Sequence, residues 1–404
     1  MQESDLTKRL GQLIMEGKIS KTTLDSSYDL TRSGSWILWA MLCIFINLQI
    51  GGGIWGSTLL LGWIILLWVI NDLRYRGTKI WLALLVIISV TTLAAAGLLW
   101  NTGKELRIYE EMGKILLLAL GTLALKDSSK KTFQCLTYWI PIGMAALAVV
   151  TYLSGTGNTY DPLRFNLYNI ASANSSAYAV VISLLMAHFS WDNTHSQLKK
   201  FTMTAVILLL LITLMATFSR GGLLQYIAGI LAFTERKKIF LVALFCATLG
   251  ILVFVPNIVE SFATVGMLWD LQSLQENARV GIWTSLIGDL TTNPWNLLVG
   301  FGPGSINVRA INVFLPVQMQ NSAHSLYIEI FYSFGIIGIA LLLYWLWKTL
   351  RRIIRSTVTD SWKKLRLGIF SALAVGGLFD SYIFAAQLLW LSCIMLAILE
   401  IRYT

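Results

Sequence analysis

Apolar runs near or above 18 residues recur along this 404-residue chain, and each is long enough to cross a bilayer as a helix. Charged residues make up only 13% of the chain, about half the share of an ordinary soluble protein, while 56% is hydrophobic. The chain therefore reads as an all-α polytopic membrane protein. Spans are expected at 36–50, 54–71, 80–99, 112–125, 134–153, 174–191, 201–218, 221–234, 239–256, 324–347, 367–382 and 384–400, which makes twelve. The run after Arg220 is short for a full crossing, and the last apolar block has to be split near Asp380.

Charge tests this layout. With the N-terminus in the cytoplasm, the inner segments hold 24 of the 31 Lys and Arg. The outer segments hold the other seven: Lys104, Arg107, Lys114, Arg164, Arg220, Arg279 and Arg309. Short positively charged loops stay inside, so both termini are expected in the cytoplasm. The net charge of +10 is mostly this bias together with contact to anionic lipid, and it calls for no nucleic-acid partner.

Four parts follow: a cytoplasmic tail at 1–35, nine spans in 36–256, a long outer loop at 257–323, and three spans with the C-terminus in 324–404. No apolar core precedes Trp36, so the tail is not a cleavable signal. Leu6, Leu10, Leu13 and Ile14 sit at helical spacing, which fits a surface amphipathic helix, and a loosely ordered tail fits equally. The long loop repeats Ala278, Ile282, Leu286 and Leu290 every fourth position, an amphipathic helix that would rest on the membrane surface. Asn293-Pro294 and GFGPGS then signal turns before the chain returns at His324. No internal repeat of the transporter kind is visible. Cys43, Cys135, Cys246 and Cys393 lie in or beside apolar runs and read as small buried hydrophobes, with no CxxC or HExxH pattern to suggest a metal or cofactor.

The polar residues of the outer face are the candidates for chemistry. His188 and His195 fall at the inner end and read as interfacial polar residues, whereas His324 shares the outer face with the scarce arginines. Arg220 ends a long apolar run, and alone it would simply snorkel to the headgroups. Gly221 and Gly222 leave room beside it for a large ligand. Arg279 lies on the loop helix one turn before Trp283, and its ordinary reading is a solvated face. Arg164 precedes a polar, small-residue span entry and reads alone as a loop charge; Arg309 is left as a surface residue.

Taken together, arginine forks bind phosphate oxygens bidentately and stay charged. They would neutralise charge growing on a departing pyrophosphate without a metal. A histidine, with an ordinary pKa of about 6.5, suits a base near neutral pH. Glu329, five residues beyond His324, falls about 140° around an ideal helix and off its face. Glu329 and Asp380 are intramembrane carboxylates, which are costly and need a partner or a role. Hydrogen bonding to Ser or Tyr of a neighbouring helix is the ordinary alternative.

NARVGIW, NPWNLLVGFGPGS and AHSLYIEIFYSFGIIG, in that order, resemble the signature region of the O-antigen ligase and polymerase superfamily. FSRGG, RFNLYNIASANSSAYA and LFDSYIF resemble its further arginine and aspartate motifs, so the likeness spans roughly 160–390. The resemblance implies a GT-C-like, metal-independent, inverting glycosyltransferase without a cofactor. It implies that His324 is the base, that Arg220 and Arg279 hold the pyrophosphate, and that Arg164 supports them. The donor it implies is a glycan on undecaprenyl pyrophosphate, and the place is the periplasmic face of the bacterial inner membrane. An O-antigen ligase would deliver the glycan to lipid A–core; a polymerase would deliver it to another lipid-linked repeat unit. Ligases often carry His-x-His-Asn here, where this chain has Ser322 and Ser325 in place of the first His and the Asn. A lipid-linked-glycan flippase is the reading from a different class, and it would place polar groups along a path through the membrane.

Overall fold

The computed structural model describes residues 114–115, 118–119, 122, 125, 130–155, 165–167, 172–217, 219–233, 278–302, 305–307, 323–380 and 388–401. The tail at 1–35 and the spans expected at 36–50, 54–71, 80–99 and 239–256 lie outside the described residues, as do most of the span at 112–125 and much of the long loop. Among the described residues the chain is all-helical, with no strand. Helices run as α1 (Lys130–Ser154), α2 (Ala173–Asp192), α3 (Gln197–Ala216), α4 (Arg220–Phe233), α5 (Ala278–Thr291), α6 (Pro294–Val299), α7 (Leu326–Arg355), α8 (Asp360–Phe379) and α9 (Leu389–Glu400). Each of the seven spans expected in this part is met by a helix, and the last apolar block divides at Asp380.

Three of these helices are long and apolar enough to cross a membrane: Thr132–Ser154, Gln197–Ala216 and Leu326–Arg355. The others fall short for plain reasons. Helices α4 and α9 have only 14 and 12 residues. Helix α8 opens on the charged stretch DSWKKLR, and α2 carries four serines.

Helix α2 is the core of the bundle, with 16 of its 20 residues buried. Helices α1, α3, α4 and α8 pack around it. A helix enclosed by protein can carry serines that a lipid-facing helix would find costly. Helix α3 shows the opposite pattern, with Leu198, Phe201, Leu208 and Ile212 exposed.

Small residues set the closest approaches. A Cβ on Gly368 would lie 3.0 Å from the carbonyl oxygen of Gly229, so the backbones of α4 and α8 nearly touch. A Cβ on Gly222 would lie 2.5 Å from the Cβ of Ala177. Gly222 thus serves the packing of α4 on α2, which corrects the expectation that it leaves room for a ligand beside Arg220.

Helix α7 is broken at Gly335, where φ is 62° and ψ is −158°. That conformation is open essentially to glycine alone. The break leaves carbonyls of the preceding turn without helical partners, and the loop after α6 takes their place. The N–H groups of Phe301 and Gly302 donate to the carbonyl oxygens of Tyr332 and Ser333, each at 2.9 Å. Gly300, at φ 76° and ψ −171°, makes the approach possible, since a Cβ there would lie 2.4 Å from the backbone of Ser333 and Phe334. The GFGPGS turn is therefore docked into a kinked span.

Candidate active site

His324 stands two residues before α7, with φ at 50°. A non-glycine residue in the left-handed region is uncommon and persists where the surroundings over-determine it. Those surroundings are evident here. On one side, the indole N–H of Trp283 donates to the Ala323 carbonyl at 2.7 Å. On the other, the Ser325 hydroxyl donates to the Gly377 carbonyl at 3.3 Å, and the Tyr327 hydroxyl donates to that of Ala374 at 2.8 Å. The histidine is held between α5 and the end of α8.

The position of α5 follows from its apolar side. Ile282, Leu286 and Leu290 are buried and cluster with Ile306, Ala323 and Tyr332. The Tyr332 hydroxyl also donates to Asp289 Oδ2 at 3.2 Å. The apolar side of α5 packs against the start of α7, and Trp283 serves that packing.

Asp380 caps α8 in extended backbone and faces the histidine, with Oδ1 4.0 Å from His324 Nδ1. The His324 side chain is 26% exposed although Nδ1 is buried, so its exposed surface lies elsewhere on the ring. The other carboxylate oxygen of Asp380 accepts from Asn174 Nδ2 at 3.3 Å. Asn174 Oδ1 in turn accepts from the Ser219 hydroxyl at 2.9 Å. Ser219 Oγ accepts the N–H of Gly222 at 3.1 Å and so caps the start of α4. Arg220, the first residue of α4, is exposed at this same turn. One chain of contacts thus joins the loop before α7, the end of α8, the start of α2 and the start of α4.

Of the residues singled out in the sequence, His324, Asp380, Arg220 and Trp283 all enter this end of the bundle. Arg279 is the second residue of α5, one turn before Trp283. Arg164 lies outside the described residues; its neighbour Phe165 donates its N–H to the Ala216 carbonyl, four residues before Arg220. Glu329 is half-buried in the first turn of α7, where a carboxylate meets the positive end of the helix dipole. Because His324 precedes the helix, the 140° separation from Glu329 does not apply. Asp380 meets Asn174 and His324.

His195 is exposed in the turn between α2 and α3. His188 joins α2 to α4, its Nε2 3.0 Å from the Tyr226 hydroxyl. Asn174 and Ser219 were not anticipated from sequence. The signals available were an amide inside the small-residue stretch ASANSSAYA and a hydroxyl directly before Arg220.

Residues 205–343 match the family model for O-antigen ligase. This is consistent with a member of the O-antigen ligase and polymerase superfamily. The matched stretch contains Arg220, Arg279, Trp283, His324 and Glu329, while Asn174 and Asp380 lie outside it. A search of curated proteins finds no match to the chain. Three of the apolar helices of the bundle are long enough to suit a membrane setting.

Proposed function

We propose that this protein is an inner-membrane O-antigen ligase of twelve spans and GT-C-like form. It moves a whole glycan from undecaprenyl pyrophosphate to lipid A–core at the periplasmic face, with inversion at the anomeric carbon. An acceptor hydroxyl attacks that carbon, the bond to the pyrophosphate oxygen breaks, and His324 takes the hydroxyl proton. Arg220 and Arg279, with Arg164 in support, hold the pyrophosphate and offset the charge it gains on leaving.

The observation that carries this reading is the His324–Asp380 pair at the strained start of α7. A carboxylate facing Nδ1 favours the tautomer with its proton there, which leaves Nε2 as the acceptor. A separation of 4.0 Å exceeds a hydrogen bond. Catalytic contacts of this kind commonly tighten once substrate is bound. The gathering of His324, Asp380 and Arg220 at one end of the bundle supports chemistry at a membrane surface over transport through the membrane.

Lipopolysaccharide from a strain lacking the gene tests the acceptor. Bare core, with long glycan retained on undecaprenyl pyrophosphate, is the expected result. Core bearing a single repeat unit and no ladder would instead mean a repeat-unit polymerase. An unchanged ladder would overturn both and favour a flippase or another glycan pathway.

A further inference from the structure

The orientation of the Asn174 amide can be read from its neighbours. Ser219 Oγ already accepts the Gly222 N–H, so its own proton is available to Asn174 Oδ1 at 2.9 Å. With the oxygen of the amide engaged there, the NH2 group is turned to Asp380 Oδ2 at 3.3 Å. The sequence of donors is directional: Ser219 to Asn174, and Asn174 to the carboxylate. Each link lies at a helix end, where the backbone fixes where the side chain starts. Ser219 precedes α4, Asn174 is in the first turn of α2, and Asp380 caps α8. The backbone of Asp380 is held at the end of α8, its N–H donating to the Gly376 carbonyl at 3.1 Å, but its extended conformation, φ −167° and ψ 167°, leaves the side chain to be oriented from outside that helix. A donor on Oδ2 limits rotation of the carboxylate and keeps Oδ1 toward His324.

We propose that Asn174 is a positioning residue of the transfer reaction, acting through Asp380 to orient His324 and linking that orientation, through Ser219, to the turn that bears Arg220. The proposal rests on the reading of His324 as the base. In this role Asn174 acts through the carboxylate it donates to. Its role is to make the geometry of the base and the geometry of the pyrophosphate-binding turn depend on each other. A donor that displaces Arg220 would pull on Ser219 and Asn174, and thereby on the carboxylate behind the histidine.

The test is a double-mutant cycle in the full-length protein reconstituted in liposomes, with a lipid-linked glycan donor and lipid A–core. Asn174→Ala should lower kcat by about 10- to 100-fold and leave KM within about twofold, as loss of an orienting partner does elsewhere. In an Asp380→Asn background the same substitution should cost almost nothing more, because the group it acts through is already altered. Ser219→Ala should lower kcat less, in the same direction and with the same dependence on Asp380, and it serves if Asn174→Ala does not fold. A full, multiplicative loss in the Asp380→Asn background, or a loss expressed in KM alone, would overturn the proposal. Retention of transfer by His324→Ala would instead overturn the reading of the base, so the two failures are distinguishable.

Discussion

The two ends of α7 carry charged groups of opposite character. At the far end, Arg352 pairs with Glu400 of α9, and the fully buried Arg366 of α8 donates from Nη2 to the Leu399 carbonyl at 2.7 Å. Arg352 and Glu400 close on one another, and Arg366 meets a helix C-terminus, where a cation is favoured. At the near end, a carboxylate and an imidazole face each other across 4.0 Å, and the histidine holds a left-handed backbone. The far end joins three helices and leaves little to react. The near end keeps strain and a partly exposed ring, which is the arrangement expected of a working site. Burial of charge alone would have pointed to Arg366; geometry points to His324.

Substitutions at the two ends should therefore separate. After His324 itself, Asp380→Asn should give the largest effect, a loss of transfer of about 10²- to 10⁴-fold with unchanged melting temperature, measured on purified protein. A loss matched by unfolding would assign Asp380 to structure instead. Gly335→Ala should come next, costing about 1–3 kcal/mol from backbone strain alone, before the clash with the carbonyl of Leu298 is counted. Thermal unfolding and transfer should both decline, because the docked turn helps form the near end. Arg220→Lys and Arg279→Lys keep charge but lose the fork, and each should reduce transfer by about tenfold, the equivalent of ~1.5 kcal/mol from one charge-assisted hydrogen bond. If both were silent, simple snorkelling would account for Arg220. Arg352→Met should be smallest: a stability change under about 1 kcal/mol and ordinary transfer. A strong loss of transfer there would erase the contrast between the ends.

Much of this arrangement was legible in the sequence because it is local. Apolar runs located α1 to α4 and α7 to α9, and a fourfold spacing located α5 with its Ile282–Leu286–Leu290 side. His324, Arg220 and Asp380 stood out as polar groups at the ends of apolar runs. What escaped was any relation between distant helices. Asn174 and Asp380 are 206 residues apart, and no periodicity within one helix reports which ends will meet. The break at Gly335 escaped for a related reason: its cause lies in the turn at Gly300, whose backbone replaces the missing helical donors. A helical wheel does not relate Glu329 to His324, because it assumes a regular helix where the chain turns left-handed before Leu326.

The most direct measurement is glycan transfer by His324→Ala in the reconstituted system, with the variant first shown to be folded and inserted. The account predicts that lipid-linked donor persists and that acceptor carries no glycan above background. Transfer near the wild-type rate by the folded variant would contradict it, and His324 would then be a strained residue of the fold rather than the base.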